Sequence, residues 1–250
     1  MKKHVLISFA VLLSALFISA ASAQEKGLTA SQILQNADSV VNAPKDQDMK
    51  VKIVLTDKNG AEKTRELTML QKGSDRRVAK FLSPADQRGI GFLSLPHDEM
   101  YLYLPAFHKV RRIASYVKNT KFAGTDFTYE DMEAKPFSEK YMPSLLRQEN
   151  NQYVLQLEPK PGIQTDYSKL IMWVRMDNFY PTRIEYYDKG GKLYKVMTRE
   201  KIEKVGKYWT AKETTMEDLK EKHKTTMILL DVKFDTELSN EEFSPRYLER

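Results

Sequence analysis

The sequence predicts a mainly β protein in which antiparallel strands build a single domain. Apolar and polar residues alternate over many short runs, which is the period of a half-buried strand. Short turns join these runs, and few helical patterns lie between them, which favours an antiparallel meander over a parallel α/β sheet. Ten or more such strands must either pair into a sandwich or curl into a barrel.

The first element is a secretory signal peptide over residues 1–23. A short basic start precedes an apolar run over residues 5–20, and Ala21-Ser22-Ala23 gives the small-x-small cleavage pattern before Gln24. The alternative is an N-terminal membrane anchor, but the run is shorter than the roughly 20 residues that span a bilayer. We therefore expect a mature domain over residues 24–250 in an exported compartment, the bacterial periplasm.

Composition excludes several classes of function. The chain has 250 residues, 40 basic and 34 acidic, and removal of residues 1–23 lowers the net charge from +6 to +4. This mild positive charge is spread along the chain, which is atypical of a nucleic-acid-binding protein but compatible with transient contact with an anionic membrane surface. There is no cysteine, so disulfide bonds do not stabilise the fold and a cysteine-linked lipid does not anchor it to a membrane.

An amphipathic helix is predicted over residues 28–41. Thr29 and Gln32 have the spacing of a capping box, and the apolar residues that follow lie mostly on one stripe. The run Asn42-Ala43-Pro44 ends the helix, because proline cannot continue it.

Strand patterns occupy most of the remaining chain. The first two runs flank Asn59-Gly60, the strongest short-range signal for a hairpin. Because several strands are apolar on one face only, a curved sheet with that face inward needs a filler, and the helix at 28–41 and the mixed segment at 122–142 are available. The other predicted strands are residues 77–82, 91–95, 100–104, 110–113, 153–158, 170–176, 182–187, 193–199, 208–218 and 225–234.

No motif for catalysis, a cofactor or a metal is present. The three histidines beyond residue 23 are His97, His108 and His223, and they lack the spacing of zinc ligands. Nucleophile elbows, phosphate-binding loops and dinucleotide fingerprints are also missing from the sequence. We therefore predict a protein without enzymatic activity, cofactor or metal that binds something apolar.

An acidic cluster lies between residues 126 and 133. Such carboxylates can act as a general acid–base pair. More often such carboxylates form ion pairs with nearby cations, and Arg111 and Arg112 are close in sequence. We favour the structural interpretation.

The most specific part of the sequence is the run Gly-Thr-Asp-Phe-Thr-Tyr-Glu-Asp at 124–131, preceded by Leu-Tyr-Leu-Pro-Ala-Phe-His-Lys-Val-Arg-Arg-Ile at 102–113. Together with the runs at 173–177, 180–187, 191–193 and 243–244, it resembles the LolA-like family of outer membrane lipoprotein-sorting proteins. The resemblance covers nearly all of the chain beyond the signal peptide. It implies a half-open antiparallel β-barrel of about 10–11 strands, with helices plugging the concave face.

The resemblance also implies a function. Proteins of this family hold acyl chains of a lipoprotein or lipid on the concave surface and carry them between the envelope membranes. The long 124–131 segment is similar to a branch that accompanies inner-membrane exporters of the resistance–nodulation–division type. An adaptor for such an exporter, with a filled core and no lipid, is therefore the alternative. The family's pocket arginine has two candidate positions, Arg65 and Arg77.

Two groups of candidate site residues follow. The candidates for lipid contact are core residues first, and they are Ile33, Leu34, Val51, Ile53, Leu55, Leu155, Leu157, Met172, Val174, Ile184, Tyr186, Ile228 and Leu230. The candidates for docking a membrane partner are Asp126, Phe127, Tyr129, Glu130 and Asp131. The remaining alternative is an enzyme that acts on envelope lipids. We expect a monomer.

Overall fold

The computed structural model describes residues 27–250. The predicted signal peptide, residues 1–23, lies outside the described residues. Three short α-helices occur in the described part: α1 (Ala30–Val41), α2 (Phe137–Lys140) and α3 (Pro245–Leu248). None of the helices in residues 27–250 is long and apolar enough to cross a membrane.

The mainly β prediction is confirmed, with thirteen antiparallel strands over residues 27–250 in place of about 10–11. Twelve of the strands correspond to the runs predicted from the alternation, and β7 was missed because apolar and charged residues do not alternate along it. The strands are β1 (Asp46–Thr56), β2 (Glu62–Lys72), β3 (Arg76–Ser83), β4 (Gly91–Leu95), β5 (Glu99–Leu104), β6 (Lys109–Arg112), β7 (Tyr141–Glu149), β8 (Gln152–Pro159), β9 (Lys169–Arg175), β10 (Pro181–Tyr187), β11 (Leu193–Val205), β12 (Tyr208–Asp218) and β13 (His223–Phe234).

The strands form one curved sheet that does not close. Its order is β6-β5-β4-β3-β2-β1-β13-β12-β11-β10-β9-β8-β7, so the first and last strands of the chain pair in the middle. All other paired strands are consecutive in sequence. Strands β6 and β7 are also consecutive, but they do not pair and form the two free edges of the sheet. The chain that connects these edges, residues 113–140, carries the segment that fills the concave side.

The hairpin and the helix form as the sequence predicts. Asp57 turns the chain between β1 and β2 by accepting hydrogen bonds from the amides of Asn59 and Ala61, and Gly60 adopts the positive φ of +83° that glycine tolerates. At the start of α1, the Thr29 and Gln32 side chains form the reciprocal capping box.

Candidate functional site

The concave face of the sheet contains a cavity of about 200 Å³, here called the groove. Its floor is apolar and rich in methionine, a flexible side chain that adapts to irregular partners. The floor residues on the strands are Met49, Val51, Met69, Met197, Met227 and Leu229, and Met132 lines the groove from the segment that connects the two edges of the sheet. Aromatic residues also line the groove, and they are Phe127, Tyr180, Trp209 and Phe234.

A smaller cavity of about 130 Å³ lies beside the groove, between α1, the connecting segment and strands β9 to β11. The two spaces share five lining residues: Val41, Arg77, Asp131, Met197 and Arg199. Both volumes are below the roughly 300–1,000 Å³ of typical ligand pockets, because the protein's own side chains occupy the concave face.

Helix α1 covers one part of that face. Ile33 and Leu34 are fully buried, and the helix packs against β7, β8, β12 and α2. The Asp38 carboxylate on the same helix accepts hydrogen bonds from the amides of Phe137 and Ser138, at 3.0 and 2.8 Å. Burial raises the pKa of Asp38, and these hydrogen bonds oppose the rise. The helix is therefore linked to the segment that leads into β7.

Residues 122–136, here called the plug, fill another part of the concave face. Phe122 is fully buried, and its ring centroid lies 5.7 Å from that of Phe81, 5.4 Å from Phe92 and 5.8 Å from Tyr129. Such aromatic contacts add to the free energy gained by burial. The guanidinium of Arg65 donates a hydrogen bond to the carbonyl of Ala123 in the same segment.

A charged contact fixes the first half of the plug to β13. The buried Asp126 carboxylate lies 2.6 Å from His223 Nδ1 and accepts a hydrogen bond of 2.7 Å from the Thr225 hydroxyl. Lys121 Nζ lies 3.2 Å from the other carboxylate oxygen, and the Asp126 amide donates to the Thr225 hydroxyl oxygen. All of these partners are distant in sequence except Lys121.

Asp131 forms a second charged contact, with β11. Its carboxylate accepts hydrogen bonds from the Tyr167 hydroxyl at 2.9 Å and the Thr128 amide at 2.8 Å, and Lys195 Nζ lies 3.5 Å away. Burial, together with the charge of Asp131, raises the pKa values of Tyr167 and Tyr186 well above the ordinary value.

Lys140 forms a third contact with two plug carboxylates. Its Nζ lies 2.8 Å from Glu130 and 3.3 Å from Glu133. Burial alone would lower the pKa of Lys140, but attraction to Glu130 and Glu133 raises it. Burial also raises the pKa of the adjacent Tyr141 to about 12. The plug is thus held by ion pairs as well as by apolar contacts.

Most of the predicted lipid-contact residues form one buried core. Val51 lines the groove, and Met172 and Tyr186 line the smaller cavity. The members of this core are Ile33, Leu34, Val51, Ile53, Leu55, Leu155, Leu157, Met172, Val174, Ile184 and Tyr186. Contact with a lipid stays a prediction for all of them.

The inward orientation expected of Ile228 and Leu230 is wrong. In β13, Leu229 pairs with Val51, and the next pair joins Asp231 to Lys50, so Leu230 is the extra residue of a β-bulge. The bulge reverses the alternation along the strand. Ile228 and Leu230 therefore lie on the convex side, where Leu230 is 45% exposed.

The docking candidates lie inside the molecule. Asp126, Phe127, Tyr129 and Glu130 are buried, and the Asp131 side chain is 2% exposed. The expected pairing of these carboxylates with nearby arginines is also wrong, since lysines and a histidine take that role. Arg111 is exposed at the edge of the sheet, and Arg112 lies 3.4 Å from Glu99 there. Docking through these residues stays a prediction, and it would require the plug to leave its position.

Several residues that line the groove were not predicted. Met227 and Leu229 were missed because the bulge is invisible in the apolar pattern. Arg199 and Trp209 have no motif around them, and only the pairing of β11 and β12 places them at the groove. Of the two candidate positions for a pocket arginine, Arg77 lines the groove, whereas Arg65 contacts the plug.

Several solved structures share this open antiparallel fold with the chain. A domain from Vibrio parahaemolyticus, described as an outer membrane lipoprotein-sorting protein, is 27% identical, with a TM-score of 0.79 over 87% of this chain and 98% of that one. A DUF1329 family protein from Desulfovibrio piger is 28% identical, with a TM-score of 0.83 over 88% and 97%. A LolA superfamily protein from Nitrosomonas europaea shares the fold at 24% identity, with a TM-score of 0.75 over 88% and 99%.

The resemblance predicted from the sequence is thereby confirmed. Residues 73–250 match the model of a family described as "Uncharacterized protein", and the chain belongs to that family. No curated protein matches this chain in sequence.

Proposed function

We propose that this protein is a periplasmic carrier that binds acyl chains of lipoproteins or lipids and moves them between the envelope membranes. The observation that carries the proposal is the apolar groove on the concave face. The elements that cover this face, α1 and the plug, are not strands of the sheet. The likeness to a lipoprotein-sorting domain supports it. The predicted signal peptide supports the periplasmic location.

The energetics favour a groove that opens. Burying a methylene group contributes about 0.8 kcal/mol, so an enclosed chain of about 16 carbons would gain roughly 12 kcal/mol before costs. The groove and its neighbour measure about 200 and 130 Å³, which is too little for such a chain. Cargo must therefore displace α1 or part of the segment 122–142, and these are the proposed lid elements.

Binding and release then need no covalent chemistry. When the lid elements leave, the acyl chain takes over their contacts with the sheet. When cargo leaves, α1 and the plug bury their own apolar residues again. We accordingly propose a non-enzymatic protein, without cofactor, that acts as a monomer and touches the membrane surface only transiently.

Native mass spectrometry with organic extraction tests the proposal on protein purified from periplasm without detergent. Bound phospholipid or a triacylated peptide would support carriage, and its mass would define the class of cargo. A protein that is free of lipid, and stays so after incubation with inner-membrane vesicles, would contradict it. Turnover of a lipid ester in the same incubation would point to an enzyme instead.

The second candidate is an adaptor for an inner-membrane exporter. The observation in its favour is the filled core, because an adaptor has no need of a large cavity. It predicts a complex with a membrane transporter that survives mild detergent extraction, together with a lipid-free mass. Recovery of the protein alone, loaded with lipid, would exclude it.

A further inference from the structure

Two arginines line the groove without a carboxylate partner. Arg77 on β3 donates through Nη1 to the Met132 carbonyl at 3.0 Å and through Nη2 to Gln71 Oε1 at 2.6 Å. Arg199 on β11 donates to the Pro181 carbonyl at 3.3 Å. Among residues 27–250, neither guanidinium has a carboxylate oxygen within 4.0 Å, since the nearby acidic groups pair with lysines.

This positive charge is half-buried in a largely apolar place, and no carboxylate among residues 27–250 pairs with it directly. Burial, and then the charge of Arg199, lower the pKa of Arg77 to about 10 against the opposing charge of Glu133, so Arg77 is still charged at neutral pH. A buried charge whose hydrogen bonds go only to neutral acceptors is costly, and a second like charge nearby raises that cost. An anion that reached both guanidinium groups would remove it through charge-assisted hydrogen bonds.

Arg77 and Arg199 line both spaces, but basic residues outnumber acidic ones only in the lining of the groove. Asp131 is the acidic residue that lines the groove, and it is already engaged by Lys195, Tyr167 and the Thr128 amide. In the smaller cavity, four acidic residues balance four basic ones. These residues are Asp38, Glu130, Asp131, Glu133, Arg77, Lys135, Lys140 and Arg199.

The rest of the groove is suited to a hydrocarbon chain. Its floor presents the methionine side chains described above, and Trp209 and Phe234 stand beside them. A free inorganic anion would leave this apolar surface unused, and a neutral lipid would leave the guanidinium charges uncompensated. Only a ligand with both an apolar chain and an anionic group satisfies the two parts together.

We propose that the groove selects acyl lipids with an anionic headgroup, with the headgroup at Arg77 and Arg199 and the chain along the methionine floor. The proposal rests on the proposed carrier function and specifies its substrate class. Arginine suits this role because its planar guanidinium stays charged and donates two parallel hydrogen bonds to a phosphate diester.

The test compares two lipids with the same acyl chains, dioleoyl phosphatidylglycerol and dioleoyl phosphatidylcholine. The full mature protein is incubated with vesicles of equal parts of both, separated from them, and extracted for quantification of bound lipid. We expect phosphatidylglycerol to be enriched roughly tenfold or more, the effect of one or two charged hydrogen bonds. Arg77→Gln and Arg199→Gln should each lower the enrichment severalfold.

Arg147→Gln is the matched control, because Arg147 is an exposed arginine on β7 that pairs with Glu149 outside the groove. It should leave the enrichment unchanged. Arg199 makes fewer hydrogen bonds than Arg77, so Arg199→Gln should fold even if Arg77→Gln does not. The experiment can then be completed with Arg199→Gln alone.

The outcomes separate this inference from the carrier function. Equal uptake of both lipids by the unmodified protein, unchanged in the two variants, would overturn the selection of anionic lipids and leave carriage intact. Uptake of neither lipid would overturn both proposals. Binding of inorganic phosphate alone, observed by phosphorus NMR and lost in both variants, would show a free-anion site and overturn the assignment to a lipid.

Discussion

Replacing Leu34 with alanine tests whether α1 opens as an independent lid. Leu34 is fully buried in the interior of the helix, and alanine preserves helix propensity while it removes the contacts with the sheet. Leucine-to-alanine changes at buried sites cost about 2–5 kcal/mol. Because those contacts join α1 to β7, β8, β12 and α2, the cost falls on the docking of the helix.

The expected consequence is local. A loss of about 2 kcal/mol raises the open population of α1 by roughly 30-fold, since 1.4 kcal/mol corresponds to a factor of ten. Native-state hydrogen exchange should therefore accelerate by that factor for the amides of Ala30–Val41, and much less for those of Leu193–Val205 in β11, which is paired on both sides. Lipid uptake from vesicles should become faster in the same variant.

Gln35→Ala provides the control, because Gln35 lies exposed on the same helix and its replacement leaves the buried face intact. Equal acceleration in α1 and in β11 would refute the reasoning, because the helix would then open only with global unfolding. Faster exchange in α1 with unchanged lipid uptake would show that the helix opens but does not gate the groove.

Three further predictions concern the bulge, the plug and the alkaline limit of stability. Leu229→Asp should lower the thermal midpoint by several degrees while Leu230→Asp changes stability by no more than about 0.5 kcal/mol, because only Leu229 faces inward; similar effects from both would contradict the bulge. Asp126→Asn should lower the free energy of unfolding in urea by about 3–5 kcal/mol, whereas the control Asp177→Asn, at an exposed ion pair, should lower it by about 0–1 kcal/mol. Equal small losses in both variants would show that the contact of Asp126 does not stabilise the protein. Because the pKa of Tyr141 is raised to about 12, its contribution to the free energy of unfolding is complete below pH 10 and is lost as pH rises from there towards 12. Tyr141→Phe should therefore flatten the dependence of stability on pH in that range. An unchanged slope would contradict the raised pKa.

Features that depend on local chemistry could be predicted from the sequence. The capping box of Thr29 and Gln32 and the turn at Asn59-Gly60 involve side chains within a few residues of the backbone groups they bind. The mainly β class also follows from local alternation. These interactions are decided by neighbours in the chain, so the linear pattern carries them.

The geometry of the site depends on partners that are distant in sequence. The bulge at Leu230 is fixed by pairing with β1, and nothing in the alternation of β13 reveals that the phase reverses there. Likewise, Asp126 meets His223 because β13 lies at the centre of the sheet, whereas Arg111 and Arg112, the arginines expected to pair with it, lie at the edge. The sequence could therefore suggest an apolar concave face but not which residues line it.

The difference between α1 and the plug suggests how a closed groove can still open. Helix α1 is held by apolar residues such as Ile33 and Leu34, whose exposure is costly unless another apolar surface replaces the lost contacts. The plug is held by buried ion pairs as well as by apolar residues such as Phe122, and the charges of Asp126 and Lys140 regain hydration when they are exposed, which offsets much of the lost attraction. In the proposed carrier, an acyl chain would replace the apolar contacts with the sheet, and water would replace the ion pairs of the plug. On this proposal, cargo and solvent together would lower the cost of opening.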